Sequence, residues 1–178
     1  VRISENAWRG GGGGTDGSTS FLPLNGEVVL DDLEKAMVVQ SGNDACVTLA
    51  EGIAGSEENF AQMMNREAQR LGMKSSSFTN STGLPDPNLY TTAHDLSLLA
   101  GALIRDFPEY YKKYYSMKEF RYNNITQPNR NRLLYIDPSV DGVKTGHTEA
   151  AGYCLISSAM RDKRRLLSVV LGTNSDSA

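Results

Sequence analysis

Apolar residues return every three to four positions through the middle of the chain and every second position towards its end, a pattern that predicts helices followed by strands. Leu30, Leu33 and Met37 recur at helical spacing, and Asp31 and Asp32 sit where a helix N-terminus favours negative charge. Ser41-Gly42-Asn43-Asp44 breaks that helix and opens another, with Cys46, Leu49, Ala50 and Ile53 as its apolar stripe. Ser56 is placed to cap a third helix, in which Phe60, Met63, Met64, Ala68 and Leu71 share a face before Gly72 ends it. The methionine pair there reads as core packing. After the turn-rich stretch 80–88, Thr91 or Thr92 can cap a helix carrying Leu96, Leu99, Ala100 and Leu103, with His94 in its first turn as a hydrogen-bonded structural histidine.

From Lys118 the period shortens to two. Phe120 and Tyr122 alternate with charged neighbours, and Asn123-Asn124 makes a turn. Residues 152–160 and 164–172 read as two strands joined at Arg161-Asp162-Lys163, a hairpin by spacing, and with a strand over 140–145 they form an antiparallel set of at least three. Helices in the middle and strands clustered late are the mark of an α+β domain. The 178 residues suffice for one domain with a real core, and no internal repeat or linker divides them.

Composition narrows the function classes. The tally of 18 basic against 21 acidic side chains leaves a net charge of −3, which offers no electrostatic footprint for nucleic acid. Tyr110, Tyr111, Tyr114 and Tyr115 with Lys112 and Lys113 between them resemble an aromatic nucleic-acid platform, but the end of an amphipathic helix explains them better. The chain has neither an apolar run of spanning length nor an exporting leader; it begins without Met and stops directly after an apolar strand, so its ends read as cut. Cys46 and Cys154 each lie in an apolar stretch and read as two buried free thiols rather than a disulfide. Two histidines, His94 and His147, are too few and too isolated for a zinc site of the usual kinds, and no metal or other cofactor is expected. Gly12, Gly14 and Gly17 formally satisfy a phosphate-loop pattern, yet no apolar strand precedes them and no helix opens directly after; a loop that flanks a site or is simply solvated fits better.

The candidate chemistry centres on Lys144-Thr145-Gly146, at the end of a predicted strand. Lys144 supplies a fixed positive charge, Thr145 a hydroxyl donor, and Gly146 has no Cβ to keep another extended backbone away. The combination suits a peptide that ends in a carboxylate and adds to the sheet edge as an extra strand. Taken alone, the tripeptide also reads as a strand ending in a polar turn. A second tripeptide far upstream, Ser41-Gly42-Asn43, shifts the balance.

Ser-Gly-Asn followed by Lys-Thr-Gly, in that order, resembles two of the three signatures of the penicillin-recognising serine enzymes. The wider stretches Val39-Gln40-Ser41-Gly42-Asn43-Asp44-Ala45-Cys46, Gln127-Pro128-Asn129-Arg130-Asn131 and Val140-Asp141-Gly142-Val143-Lys144-Thr145-Gly146-His147-Thr148, with Ala151-Gly152-Tyr153, are similar to the low-molecular-mass penicillin-binding proteins that are D-alanyl-D-alanine carboxypeptidases. The likeness covers essentially the whole chain, Ser4-Glu5-Asn6-Ala7-Trp8 included. It implies a three-layer αβα fold with an antiparallel sheet packed between helices, residues 1–178 being part of the catalytic domain. Ser-Gly-Asn in place of Ser-Asp-Asn, and no evident deacylating Glu in the 80–88 loop, set β-lactamase aside.

The resemblance implies roles as well. The substrate would be a peptidoglycan stem peptide ending in D-Ala-D-Ala, with β-lactam antibiotics as mimics and a periplasmic location at the inner membrane. Ser41 would relay a proton between a catalytic lysine and the leaving amine, Asn43 would hold an amide carbonyl of the substrate, and Lys144 would keep the potential positive. Thr145 and the fork of Arg130 would bind the terminal carboxylate, with Gly146 admitting the substrate backbone and His147 as a wall of the subsite. One signature does not occur in these residues: no serine has a lysine three positions on. The chain is therefore expected to recognise substrate without forming an acyl-enzyme by itself; a catalytically silent module that binds peptidoglycan ends is the alternative. Without the nucleophile helix, apolar faces including those of Leu49 and Met64 are expected to lie open and to recruit a companion chain or a second copy.

Overall fold

The computed structural model describes residues 1–10 and 17–177. Gly12 and Gly14 of the phosphate-loop pattern lie outside the described residues. The opening residues form a β-bridge between Arg2 and Glu27, closed by a turn at Leu24-Asn25. Ser4 caps the short helix α1 (Glu5–Trp8), its Oγ accepting from the Ala7 N–H. Helix α2 (Leu30–Lys35) continues as a π-helical turn (Ala36–Gln40) that stops at Ser41, and α3 (Asn43–Ala54) restarts two residues later. Helix α4 (Glu57–Arg70) is capped by Ser56, whose hydroxyl accepts from Asn59 N–H. Thr92, rather than Thr91, caps α5 (Ala93–Asp106).

After α6 (Pro108–Tyr114), the hairpin β1 (Glu119–Tyr122) and β2 (Ile125–Pro128) turns on Asn123 and Asn124, both left-handed with φ of 46° and 61°. Helix α7 (Leu133–Ile136) leads into β3 (Val140–Thr148), β4 (Gly152–Arg161) and β5 (Arg164–Thr173), an antiparallel sheet in the order β3-β4-β5. Its second hairpin closes on Asp162-Lys163, both at positive φ, the two-residue turn whose twist matches that of the strands it joins. Helix α5 packs on β5 and β4, and α7 packs on β3. The predicted α+β order is thus present, with β3 and β5 as the two edges.

The main core gathers Ile3, Ala7, Leu33, Val39, Ala45, Val47, Leu49 and Phe120 from α1 to α3 and the first hairpin. Helix α3 passes among α1, α2 and α4, so it is buried on Ala45, Val47, Thr48, Leu49 and Ala50 rather than on one narrow stripe. Ile53, on its last turn, is 60% exposed, against expectation. The open apolar faces also lie elsewhere than expected. Leu49 is only 8% exposed and Met64 is half-buried, whereas the edge strand β5 shows Leu166 (57%) and Val170 (41%), and α7 shows Ile136 (73%). His94 keeps a 3.4 Å contact with Asp95 but points to solvent; Asp95 is the buried residue of that turn, accepting from Ser75 N–H and Ser76 Oγ. Among the described residues no helix is long and apolar enough to cross a membrane.

Two of the four tyrosines on and after α6 are buried for a structural purpose. Tyr111 Oη donates to Asp141 Oδ1 at 2.9 Å, and Arg165 Nη1 reaches the same oxygen at 2.8 Å. This group backs the start of β3, where Asn131 Nδ2 donates to the Gly142 carbonyl at 3.2 Å. A Cβ at Gly142 would fall 2.3 Å from Tyr111 Oη, so the backbone there needs glycine. Gly142→Ala is expected to cost about 1–3 kcal/mol in denaturant unfolding through overpacking, and Tyr111→Phe in that background to recover part of the loss. Full stability of the single variant would show that β3 is not held in this way.

Candidate functional site

The turn between the π-helical segment and α3 carries the first tripeptide. Gly42 N–H donates to Ala36 O at 3.1 Å, tightening the end of the wide turn, and Ser41 takes left-handed backbone angles of φ 61° and ψ 34°. An L-residue pays about 1–2 kcal/mol for that conformation, and glycine would take it freely. π-Helical turns and strained residues gather at functional sites. The hydroxyl of Ser41 is what a glycine would lack. It accepts a short hydrogen bond from Lys144 Nζ, which joins the two tripeptides in space.

Lys144 extends from β3, with its ammonium also donating to its neighbour's carbonyl, Thr145 O, at 3.0 Å. The residue as a whole is half-buried while the ammonium is shielded by surrounding atoms, and that desolvation lowers its pKa to about 8. The positive charge of Arg130 pushes it further down. Arg130 is thus close enough to be felt at Lys144. Burial in turn pushes the Cys46 thiol up to about 12, which makes it an inert neighbour rather than a nucleophile.

Arg130 is aimed by its flanks. Asn129 and Asn131 are buried; the first donates from Nδ2 to Met117 O and accepts Asn131 N–H, and the second grips the Gly142 carbonyl. With both neighbours anchored, Arg130 is exposed, and its Nη2 donates to Ser18 Oγ at 2.7 Å. Asn43 is 5% exposed, and its Nδ2 has no hydrogen-bond partner among the described residues. A buried amide left without an acceptor is costly.

Thr145 is half-buried, and Gly146 and His147 are exposed at the outer end of β3. The His147 ring lies against Tyr153, its cross-strand partner, with centroids 4.1 Å apart. Gly146 pairs with Cys154, and a Cβ added to it would meet only Cys154 Cβ at 3.9 Å, an ordinary contact. Nothing within the described chain therefore demands glycine there. Among the described residues no group of three or more His, Cys, Asp or Glu side chains is placed to hold a metal.

The family model for D-alanyl-D-alanine carboxypeptidase matches residues 1–175. The chain belongs to that family. Among its relatives, D-alanyl-D-alanine carboxypeptidase DacA of Haemophilus influenzae is 48% identical over 174 residues, covering 97% of this chain and 44% of that protein. D-alanyl-D-alanine carboxypeptidase DacC of Escherichia coli is 46% identical over 178 residues, covering 99% and 44%. The crystal structure of penicillin binding protein 5 from Haemophilus influenzae superposes with a TM-score of 0.92 at 47% identity, over 98% of this chain and 51% of that one. The chain thus spans less than half the length of these curated relatives, and it shares the fold of the family where the two overlap.

Against that family frame, the structure brings Ser41 and Lys144 into contact, sets Arg130 and Asn43 beside them, and leaves Thr145, Gly146 and His147 along the outer run of β3. The sequence pattern gives no part in the site to Ser18, Asp44, Asn131 or Tyr111. The alternation of Asn129 and Asn131 around Arg130 was the one local signal for any of them.

The lowered pKa of Lys144 sets a pH dependence. Below about 8 the ammonium is charged and attracts a carboxylate; as pH rises through 8 it loses its proton, so affinity for a carboxylate-ended peptide is expected to fall. The limit is about tenfold per pH unit for one proton. Titrating N-acetyl-D-alanyl-D-alanine against the protein from pH 6.5 to 9.5 tests this, and an affinity that is flat across the range contradicts a binding role for the charge.

Proposed function

We propose that this chain carries the substrate-recognition half of a serine-type D-Ala-D-Ala carboxypeptidase site, which removes the terminal D-alanine from peptidoglycan stem peptides in the periplasm. The observation that carries the reading is the hydrogen bond from Lys144 to Ser41, which unites the two signature tripeptides in space. β3 supports it as well: it is an edge strand whose free side can accept an extended peptide, at a glycine that no contact inside the chain requires.

In this reading a serine attacks the penultimate carbonyl, D-alanine leaves, and water releases the shortened peptide. Ser41 Oγ accepts from Lys144, which leaves its own proton free to pass to the leaving amine, returned by the lysine base. Asn43 Nδ2 has a free donor to offer a substrate carbonyl. Thr145 and Arg130 take the terminal carboxylate, and His147 walls the subsite. Lys144 adds the positive potential that keeps a nearby lysine base deprotonated.

The serine and lysine of that first step are not among these 178 residues, none of whose serines has a lysine three positions on. Fluorescent penicillin is therefore expected to leave the isolated chain unlabelled and to label it once joined to a Ser-x-x-Lys segment from a relative. Stable labelling of the isolated chain would sink this account of the nucleophile. Failure of the joined protein to be labelled, with binding of D-Ala-D-Ala retained, would favour the silent binding module.

The exposed row Leu166 and Val170 on β5 supports a companion chain or a second copy covering this side. Sedimentation of the chain alone is expected to show association that rises with concentration. A compact monomer throughout would contradict it.

A further inference from the structure

Asp44 follows the Ser-Gly-Asn turn directly and is 1% exposed. A carboxylate so far from water needs donors, and this one draws most of them from a single stretch of chain. The Ser20 N–H reaches both of its oxygens, at 2.9 and 3.1 Å, and the Leu22 N–H reaches Oδ2 at 3.1 Å. The Thr19 hydroxyl donates to Oδ2 at 3.1 Å, and Ala45 N–H completes the set at 3.0 Å. Residues 19–22 are thereby clipped to the first turn of α3 at three successive points.

Two further contacts make the clip part of the site. Asn43 N–H donates to Ser18 O at 2.8 Å, and Arg130 Nη2 donates to Ser18 Oγ at 2.7 Å. Ser18 is therefore the piece between the Ser-Gly-Asn turn and the exposed guanidinium. The packing is tight: a Cβ at Gly42 would lie 1.9 Å from Ser20 Oγ and 2.8 Å from Asp44 Oδ1, so only glycine fits the middle of the tripeptide. Phe21 is held at φ 57°, a left-handed conformation rare for a bulky residue, which a free loop would relax. Arg130 has no other hydrogen-bonding partner among the described residues, and a long side chain without one spreads over many rotamers.

We propose that Asp44 is a positioning residue. It touches no ligand; by gripping residues 19–22 it holds Ser18 against the turn, and Ser18 in turn aims the Arg130 guanidinium at the carboxylate end of a bound peptide. This rests on the reading that the site takes a peptide ending in D-alanine, and it adds to that reading the device that orients its exposed cation. A guanidinium fixed in this way distinguishes a carboxylate from the neutral amide of the same shape, since only the carboxylate returns a charge-assisted, two-point bond.

The test compares the protein with Asp44→Asn, which keeps the shape and removes the charge and one acceptor, and with Ser18→Ala, which leaves the clip intact. Amide hydrogen exchange at Ser20 and Leu22 is expected to quicken at least tenfold in Asp44→Asn, with β3 to β5 unchanged. Titrations use N-acetyl-D-alanyl-D-alanine and its C-terminal amide. Both variants are expected to lose about tenfold on the acid, equivalent to about 1.4 kcal/mol, with affinity for the amide unaltered, a split that general destabilisation does not produce. Equal losses on acid and amide, undiminished acid binding in both variants, or unchanged exchange at Ser20 and Leu22 would each overturn the proposal. If the unsubstituted protein binds neither ligand, the functional reading and the aiming role fall together, while faster exchange in Asp44→Asn still identifies the clip. Should Asp44→Asn not fold, the acid and amide titrations of Ser18→Ala decide the aiming role.

Discussion

A shielded ammonium bonded to a hydroxyl, Lys144 to Ser41, is the contact on which the site depends. Withdrawing an amine from water is unfavourable unless donors and acceptors are arranged for it. Here the Ser41 hydroxyl and the Thr145 carbonyl offset part of that penalty, and the remainder appears as a pKa drawn down to about 8. One partner sits on a strand edge and the other on a strained turn between helices. The helical core and the sheet must therefore hold a fixed relation for either residue to be useful.

Polar groups back each of the two partners. Behind β3, Tyr111, Arg165 and Asp141 form one linked group, and Asn131 reaches across to the Gly142 carbonyl. Behind the serine turn, Asp44 holds residues 19–22. Hydrogen bonds are directional where hydrophobic contacts are not, so such groups fix orientation as well as distance. The two glycines pressed against these groups, Gly42 and Gly142, mark the places where the backbone had to come closest.

The sheet shows the opposite economy. Its two edges are β3, which carries Lys144, and β5, where Leu166 and Val170 are exposed. Open edges are sites for further strands. Both the peptide proposed to lie along Gly146 and the partner proposed to cover β5 would use this one geometric property.

Much of this was legible in the residues themselves. The cap at Ser56, a cap at Thr91 or Thr92, a hairpin at Arg161-Asp162-Lys163 and the α+β order follow from local rules, because a cap or a short turn is decided by atoms a few positions apart. Ser41, Asn43, Arg130 and Lys144 were visible as motif members. What local rules misplaced was exposure: Ile53 lies on the periodic stripe yet is 60% exposed, whereas Leu49, expected to lie open, is buried. Only the folded chain decided that Ser41 meets Lys144, that Arg130 is thrust outward between two anchored asparagines, and that an aspartate after the motif binds a segment more than twenty residues upstream. Those are contacts between residues remote in sequence, set by how whole elements pack, and periodicity along a chain carries no record of them.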